Sequence, residues 1–158
     1  MEINIRKARL KDYEWIKDLH QELSDLHIQW APWNFEYINP SYNTEFFKEK
    51  LEDADTLFYI AEEKNQIIAY CIFQIKHSED IPILKKRSWL FIKDIVVAQS
   101  HKWRWIWTLL LEKWEEIAKE LNIWSIELSV WSFNQDAIEF YKGKWFDQYT
   151  IKMHKILK

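Results

Sequence analysis

The chain predicts a mixed α/β fold, one sheet with helices on its faces, and three observations carry that prediction. Glu2–Lys7 and Ser125–Val130 set apolar residues on one side of an alternating run, the period of a half-buried strand. Ile16, Leu19, Leu23 and Leu26, and again Leu110, Trp114, Ile117 and Leu121, fall on single helical faces. Helices and strands interleave along the chain, which excludes an all-α or all-β domain.

Taken in order, Ile3 and Ile5 mark a first strand, and a helix follows with Asp12 as its N-cap. Residues 29–43 hold two prolines and five aromatics (Trp30, Trp33, Phe35, Tyr37, Tyr42) and read as an ordered loop. A second helix covers Thr44–Leu51. Thr56–Ala61 and Gln66–Gln74 form a hairpin whose turn is supplied by Lys64-Asn65. His77–Lys86 is polar, contains Pro82 and makes a loop. Ser88–Val97 is apolar almost throughout, as a central strand buried on both faces would be. Residues 102–108 make a turn, with a helix from Leu109. After the strand at Ser125–Val130, Asn134 caps a short helix to Lys142, and Phe146–Leu157 closes as a last strand. No repeat, low-complexity tract or linker divides the chain, so residues 1–158 are expected to form a single domain.

The formal net charge is -3, which supplies no global positive field, so nucleic acid and anionic membrane are not expected as partners. No apolar run approaches a membrane span, and the N-terminus lacks the apolar core of a signal peptide; a cytoplasmic location is expected. Cys71 is the one cysteine and excludes an internal disulfide. His20 and His27 lie seven apart without converging ligands, so no metal is expected. No serine or cysteine stands in a nucleophile-elbow pattern.

Two numbers are unusual: one glycine and eleven tryptophans in 158 residues. Turns and helix ends need residues that tolerate positive φ. Such scarcity of glycine means strained turns, or turns carried by Asn and Asp.

Three stretches carry a family resemblance. Phe91-Ile92-Lys93-Asp94-Ile95-Val96-Val97 is followed by Lys102-Trp103-Arg104-Trp105-Ile106-Trp107-Thr108. Ile126–Asn134 makes the second, and Ala137-Ile138-Glu139-Phe140-Tyr141-Lys142-Gly143-Lys144-Trp145-Phe146 the third. Together they resemble the GNAT superfamily of acetyl-CoA-dependent N-acetyltransferases over nearly the whole chain. The resemblance implies a mostly antiparallel sheet flanked by helices. It also implies an amine acceptor on a small molecule or protein, acetyl-CoA as donor, and a homodimer. Trp103, Trp105, Trp107 and Trp145 stand where members carry glycine.

By that resemblance, Ile95, Val96 and Val97 would pair with the pantetheine arm through their backbone. N–H groups of Trp103, Arg104, Trp105, Ile106, Trp107 and Thr108 would bind the pyrophosphate, with Lys102 at the opening basic position. Asn134 would contact the cofactor arm, and Tyr141 would protonate the departing thiolate. The N–H near Val96 would polarise the acetyl carbonyl, a fixed donor aimed at a developing oxyanion. An amine nucleophile must also lose a proton, and Asp94 and Glu127 are the candidate bases. Tryptophan neither permits positive φ cheaply nor lets phosphate approach the backbone. The alternative is therefore a non-catalytic protein of this fold whose cofactor site is blocked by Trp103, Trp105 and Trp107.

Overall fold

A computed structural model describes residues 3–38, 42–101 and 104–155, with Arg104 described by its backbone alone. The chain divides into two compact units, Met1–Leu128 and Ser129–Lys158.

The first unit holds a five-stranded sheet in the order β1-β2-β3-β4-β5. Its strands are β1 (Asn4–Lys7), β2 (Thr56–Glu63), β3 (Gln66–His77), β4 (Ser88–Val97) and β5 (Ile126–Leu128). The first three pairings are antiparallel and β4–β5 is parallel. Lys64 and Asn65 both adopt positive φ, 49° and 65°, so the tight turn between β2 and β3 is made without glycine. Asn tolerates that region because its short polar side chain bonds locally; Lys64 takes it at some cost.

The central strand is β3: Ile67 through Phe73 are all 5 % exposed or less. Alternation sends its side chains to two different helical layers. Phe58, Ile60, Tyr70 and Ile72 join one core with Ile16 and Leu19 of α1 (Tyr13–Trp30) and Phe47 of α2 (Thr44–Glu52). Cys71 and Phe73 point the other way, under α3 (Arg104–Glu120). There the Trp114 indole N–H donates to Cys71 Sγ at 3.4 Å, and its ring meets Phe73 at 5.1 Å between centroids. Burial lifts the Cys71 thiol to about 12, so it is an inert packing group.

Several expectations change. Asn43 caps α2 as its position suggests, its Oδ1 accepting from the Phe46 N–H at 2.8 Å. Asp12 does not cap α1 with its side chain; its carboxylate accepts from Arg9 N–H and, bidentately, from Arg6 at 2.8 and 3.0 Å. The helix expected from Leu109 begins at Arg104, five residues earlier, because Ile106 and Leu110 already lie on the buried stripe of α3. The final strand expected at Phe146–Leu157 is not formed among residues 146–155, where Tyr149, Ile151 and Met153 are exposed.

The second unit carries α4 (Gln135–Lys142), capped by Asn134, whose Oδ1 accepts from Ala137 N–H at 3.3 Å. The helix closes with two bonds, Phe146 N–H to Tyr141 O and Trp145 N–H to Lys142 O, both 3.1 Å. This is the paired termination that requires a left-handed residue at its penultimate position. Trp145 fills it at φ 66°. Gly143, two residues earlier, does not supply the left-handed position and stays right-handed at φ -65°.

Candidate active site

The site is built by one irregularity. Along β3–β4, Phe73 pairs with Ile92 but Ile72 pairs with Asp94, leaving Lys93 as an extra residue in β4. Ile92 lies on the α3 face with Phe73, so an unbroken strand would put Asp94 there as well. The bulge instead turns Lys93 and Asp94 toward α1. Both line a cavity of about 360 Å³ with His20, His27, Phe35, Tyr42 and Phe46.

Burial raises the Asp94 carboxyl above the ordinary aspartate range, against the opposing pull of Lys93. His20 is pushed down to about 4 by burial and by His27 and Lys93. Its Nδ1 lies 2.7 Å from the Tyr70 hydroxyl. Tyr70 is fully buried and its pKa is raised well above the usual value, so it is a neutral phenol and donates. His20 is thereby assigned the tautomer with its proton on Nε2, and its basic nitrogen is engaged. Asp94, with Glu36 and His27, remains among the proton acceptors that line the cavity, and of these Asp94 is the one carried by the sheet.

Glu127 stands elsewhere in use. Arg87 donates to its Oε1 at 2.6 Å, and Glu127 does not line the Asp94 cavity. A wider depression of about 630 Å³ lies beside Arg87 at the opposite end of β4. It contains neither Asp94 nor the start of α3, so its size does not make it the reactive centre.

Past the bulge, β4 has no strand partner on its β5 side among the described residues. Its parallel pairing with β5 ends at Ile92↔Leu128, while the strand continues through Ile95, Val96 and Val97. Just beyond, α3 starts at Arg104, and helix geometry leaves the N–H groups of residues 104–106 without intrahelical acceptors. An unpaired strand edge followed by a helix N-terminus suits an extended amide arm ending in a diphosphate. The backbone therefore fits acetyl-CoA, as the resemblance implies. Trp105 and Trp107 are helical, not left-handed, so the backbone strain expected at them is absent. Their indoles nonetheless stand on the first turns of α3, with Trp105 40 % exposed. Lys102 and Trp103 lie outside the described residues. His101 Nε2 sits 3.7 Å from Glu63 Oε2, so the histidine nearest this turn faces a carboxylate.

In the second unit, Tyr141 is buried against Phe140 and Phe146, and burial raises its hydroxyl pKa. Asn134 spends its side-chain oxygen on the α4 cap. Among the described residues, no group of three His, Cys, Asp or Glu side chains could hold a metal, and no helix is long and apolar enough to cross a membrane. Sequence reasoning missed Tyr42 and Lys93. The tyrosine was legible only as one of five loop aromatics, and the lysine's orientation depends on a bulge that leaves no composition signal.

The chain belongs to the Acetyltransferase (GNAT) family, whose model matches residues 18–145. It is 26% identical over 158 residues to an N-alpha-acetyltransferase of Sulfurisphaera tokodaii, covering 97% of this chain and 85% of that protein. Its fold is similar to the tetramutant of the BH1408 protein from Bacillus halodurans, with a TM-score of 0.92 at 22% identity over 98% of this chain and 99% of that one. Glucosamine-6-phosphate N-acetyltransferase from Arabidopsis thaliana matches at a TM-score of 0.72 and 17% identity, over the whole of both chains. The mostly antiparallel α/β architecture is that of the family, and acetyl transfer from acetyl-CoA is the chemistry the family carries.

Proposed function

We propose that this chain transfers an acetyl group from acetyl-CoA to the primary α-amine of a peptide or amino acid, with Asp94 as general base. One observation carries the reading: the β4 bulge sets a half-buried carboxylate in an aromatic cavity on the strand whose far end leads to the α3 N-terminus. The relative named as an N-alpha-acetyltransferase favours an α-amine over other amines. The donor supplies an acetyl thioester. The amine nitrogen forms the new bond to the acetyl carbon as the carbon–sulfur bond breaks, and Asp94 takes the amine proton. A partly desolvated carboxylate of raised pKa is the stronger base for that transfer. The N–H near Val96 is the oxyanion donor in this scheme. Ile95 and Val97 hold the amide arm through their backbone, and the N–H groups of residues 104–106 hold the diphosphate. Tyr141, whose phenol stays protonated at neutral pH, returns a proton to the thiolate.

The assay is release of free thiol from acetyl-CoA in the presence of an α-amino peptide. Asp94→Asn should lower kcat about a hundredfold or more. Unchanged turnover in Asp94→Asn removes the base from Asp94. A second reading, a GNAT-fold protein that binds without catalysis, draws on Trp105 and Trp107 at the start of α3. Calorimetric titration with acetyl-CoA separates the two, since that reading expects no saturable heat.

A further inference from the structure

Tyr42 is 2 % exposed and lines the same cavity as Asp94, yet its hydroxyl has no hydrogen-bond partner among the described residues. Its backbone carbonyl is fixed by the Tyr13 hydroxyl at 3.0 Å, and its ring packs against His20 at 4.4 Å and Phe46 at 5.1 Å. Buried polar groups are almost always paired, because an unpaired one keeps its desolvation cost. Burial and the nearby Asp94 charge keep this phenol protonated, so the missing partner is an acceptor. We infer that Tyr42 selects acceptors carrying a carbonyl next to the reacting amine, its O–H donating to that carbonyl oxygen. The inference rests on the Asp94 cavity being the acceptor site.

Calorimetry without cofactor tests it, using methionine amide and the amine that lacks its carboxamide. Tyr42→Phe should weaken the amide about tenfold and leave the simple amine unchanged. Equal effects on both, or none on either, overturn the role of Tyr42 alone. Asp94→Asn should weaken both probes, and if it weakens neither, the acceptor site itself is misplaced.

A second inference comes from the tryptophans. They fall into two kinds. Trp114 is fully buried and hydrogen-bonded, Trp89 lies under the Arg87 guanidinium at 4.5 Å, and Trp131 stacks on Phe133. Trp145 is 95 % exposed in a left-handed conformation, where its indole packs on nothing that would offset the backbone strain. A domain of this length ordinarily holds about eleven glycines and one or two tryptophans; this one holds one and eleven. Glycine in place of four of the tryptophans would bring the counts to five and seven, moving both toward the ordinary values. UGA differs from the tryptophan codon UGG in one base, and some bacterial codes read it as tryptophan while others read it as glycine. We infer that the chain made in its source organism carries glycine at 103, 105, 107 and 145, encoded by UGA, and tryptophan at 114, encoded by UGG.

The gene's codons at these five positions, with the intact mass of the protein isolated from its own cells, decide the matter. UGA at the four sites, with a mass lower by four Trp-to-Gly exchanges, is the expected result. UGG throughout, or the mass of the tryptophan form, overturns it. As a physical counterpart, Trp145→Gly should raise the melting temperature while Trp145→Ala should not, because only glycine relieves a left-handed φ.

Discussion

Asp94 is held at a cost. Its carboxyl pKa is raised by burial, so the native state binds its proton more tightly than the unfolded chain does. Stability from this group is therefore present at low pH and lost as pH rises through the folded pKa. Asp94→Asn should consequently melt higher than the parent at neutral pH while losing turnover, a comparison read from one thermal scan and one thiol assay. A residue whose replacement stabilises the fold and abolishes the activity is serving chemistry, not packing. The sequence named Asp94 and Glu127 as equals. What separates them is that Arg87 neutralises one and the bulge isolates the other, and both facts belong to tertiary structure.

Among the elements, α3 joins the two halves of the argument. Its buried stripe of Ile106, Leu110, Leu111, Trp114 and Ile117 covers one face of the sheet, and its first turn presents the backbone N–H groups proposed to hold the diphosphate. Trp114→Ala should destabilise by about 3–5 kcal/mol, read by denaturant unfolding, since a large fully buried side chain leaves a cavity that collapses only in part. Hydrophobic period showed this helix clearly, along with the β2–β3 turn and the extent of β4. It misjudged the helix start, because three tryptophans at glycine positions made residues 102–108 look like a loop. It also extended a strand through Phe146–Leu157, where alternation exists but no ladder partner is described.

At the level of the whole molecule, acid should act in stages. His20 titrates at about 4 instead of near 6.5, because burial, with His27 and Lys93, disfavours its cation. The neutral form is the one the fold prefers, so stability is lost as pH falls from 6.5 toward 4, by at most about 3 kcal/mol. Burial also pushes Asp12 upward, but its bonds from Arg6 and the Arg9 N–H outweigh that, and its carboxyl rests below the usual range. Its contribution goes only as pH falls further, through that depressed pKa. Melting temperature against pH should fall gently below 6.5 and steeply below 4. His20→Asn should remove part of the first limb, the rest belonging to His27, whose pKa burial also lowers, and should leave the second.

The extra residue at Lys93 also makes the strand an even–odd counter. Val96 meets Tyr70 in the α1 core and Val97 meets Ala69 on the α3 side only because Lys93 shifts the parity once. Pairing Lys93 into a regular ladder would exchange inside for outside in every position from Asp94 to Val97, turning the carboxylate beneath α3 and giving the cavity an isoleucine, whereas deleting it would leave those residues on their present faces. New acceptor preferences along this stretch are therefore open to substitution, and to loss of Lys93 itself, but closed to a register in which Lys93 is paired.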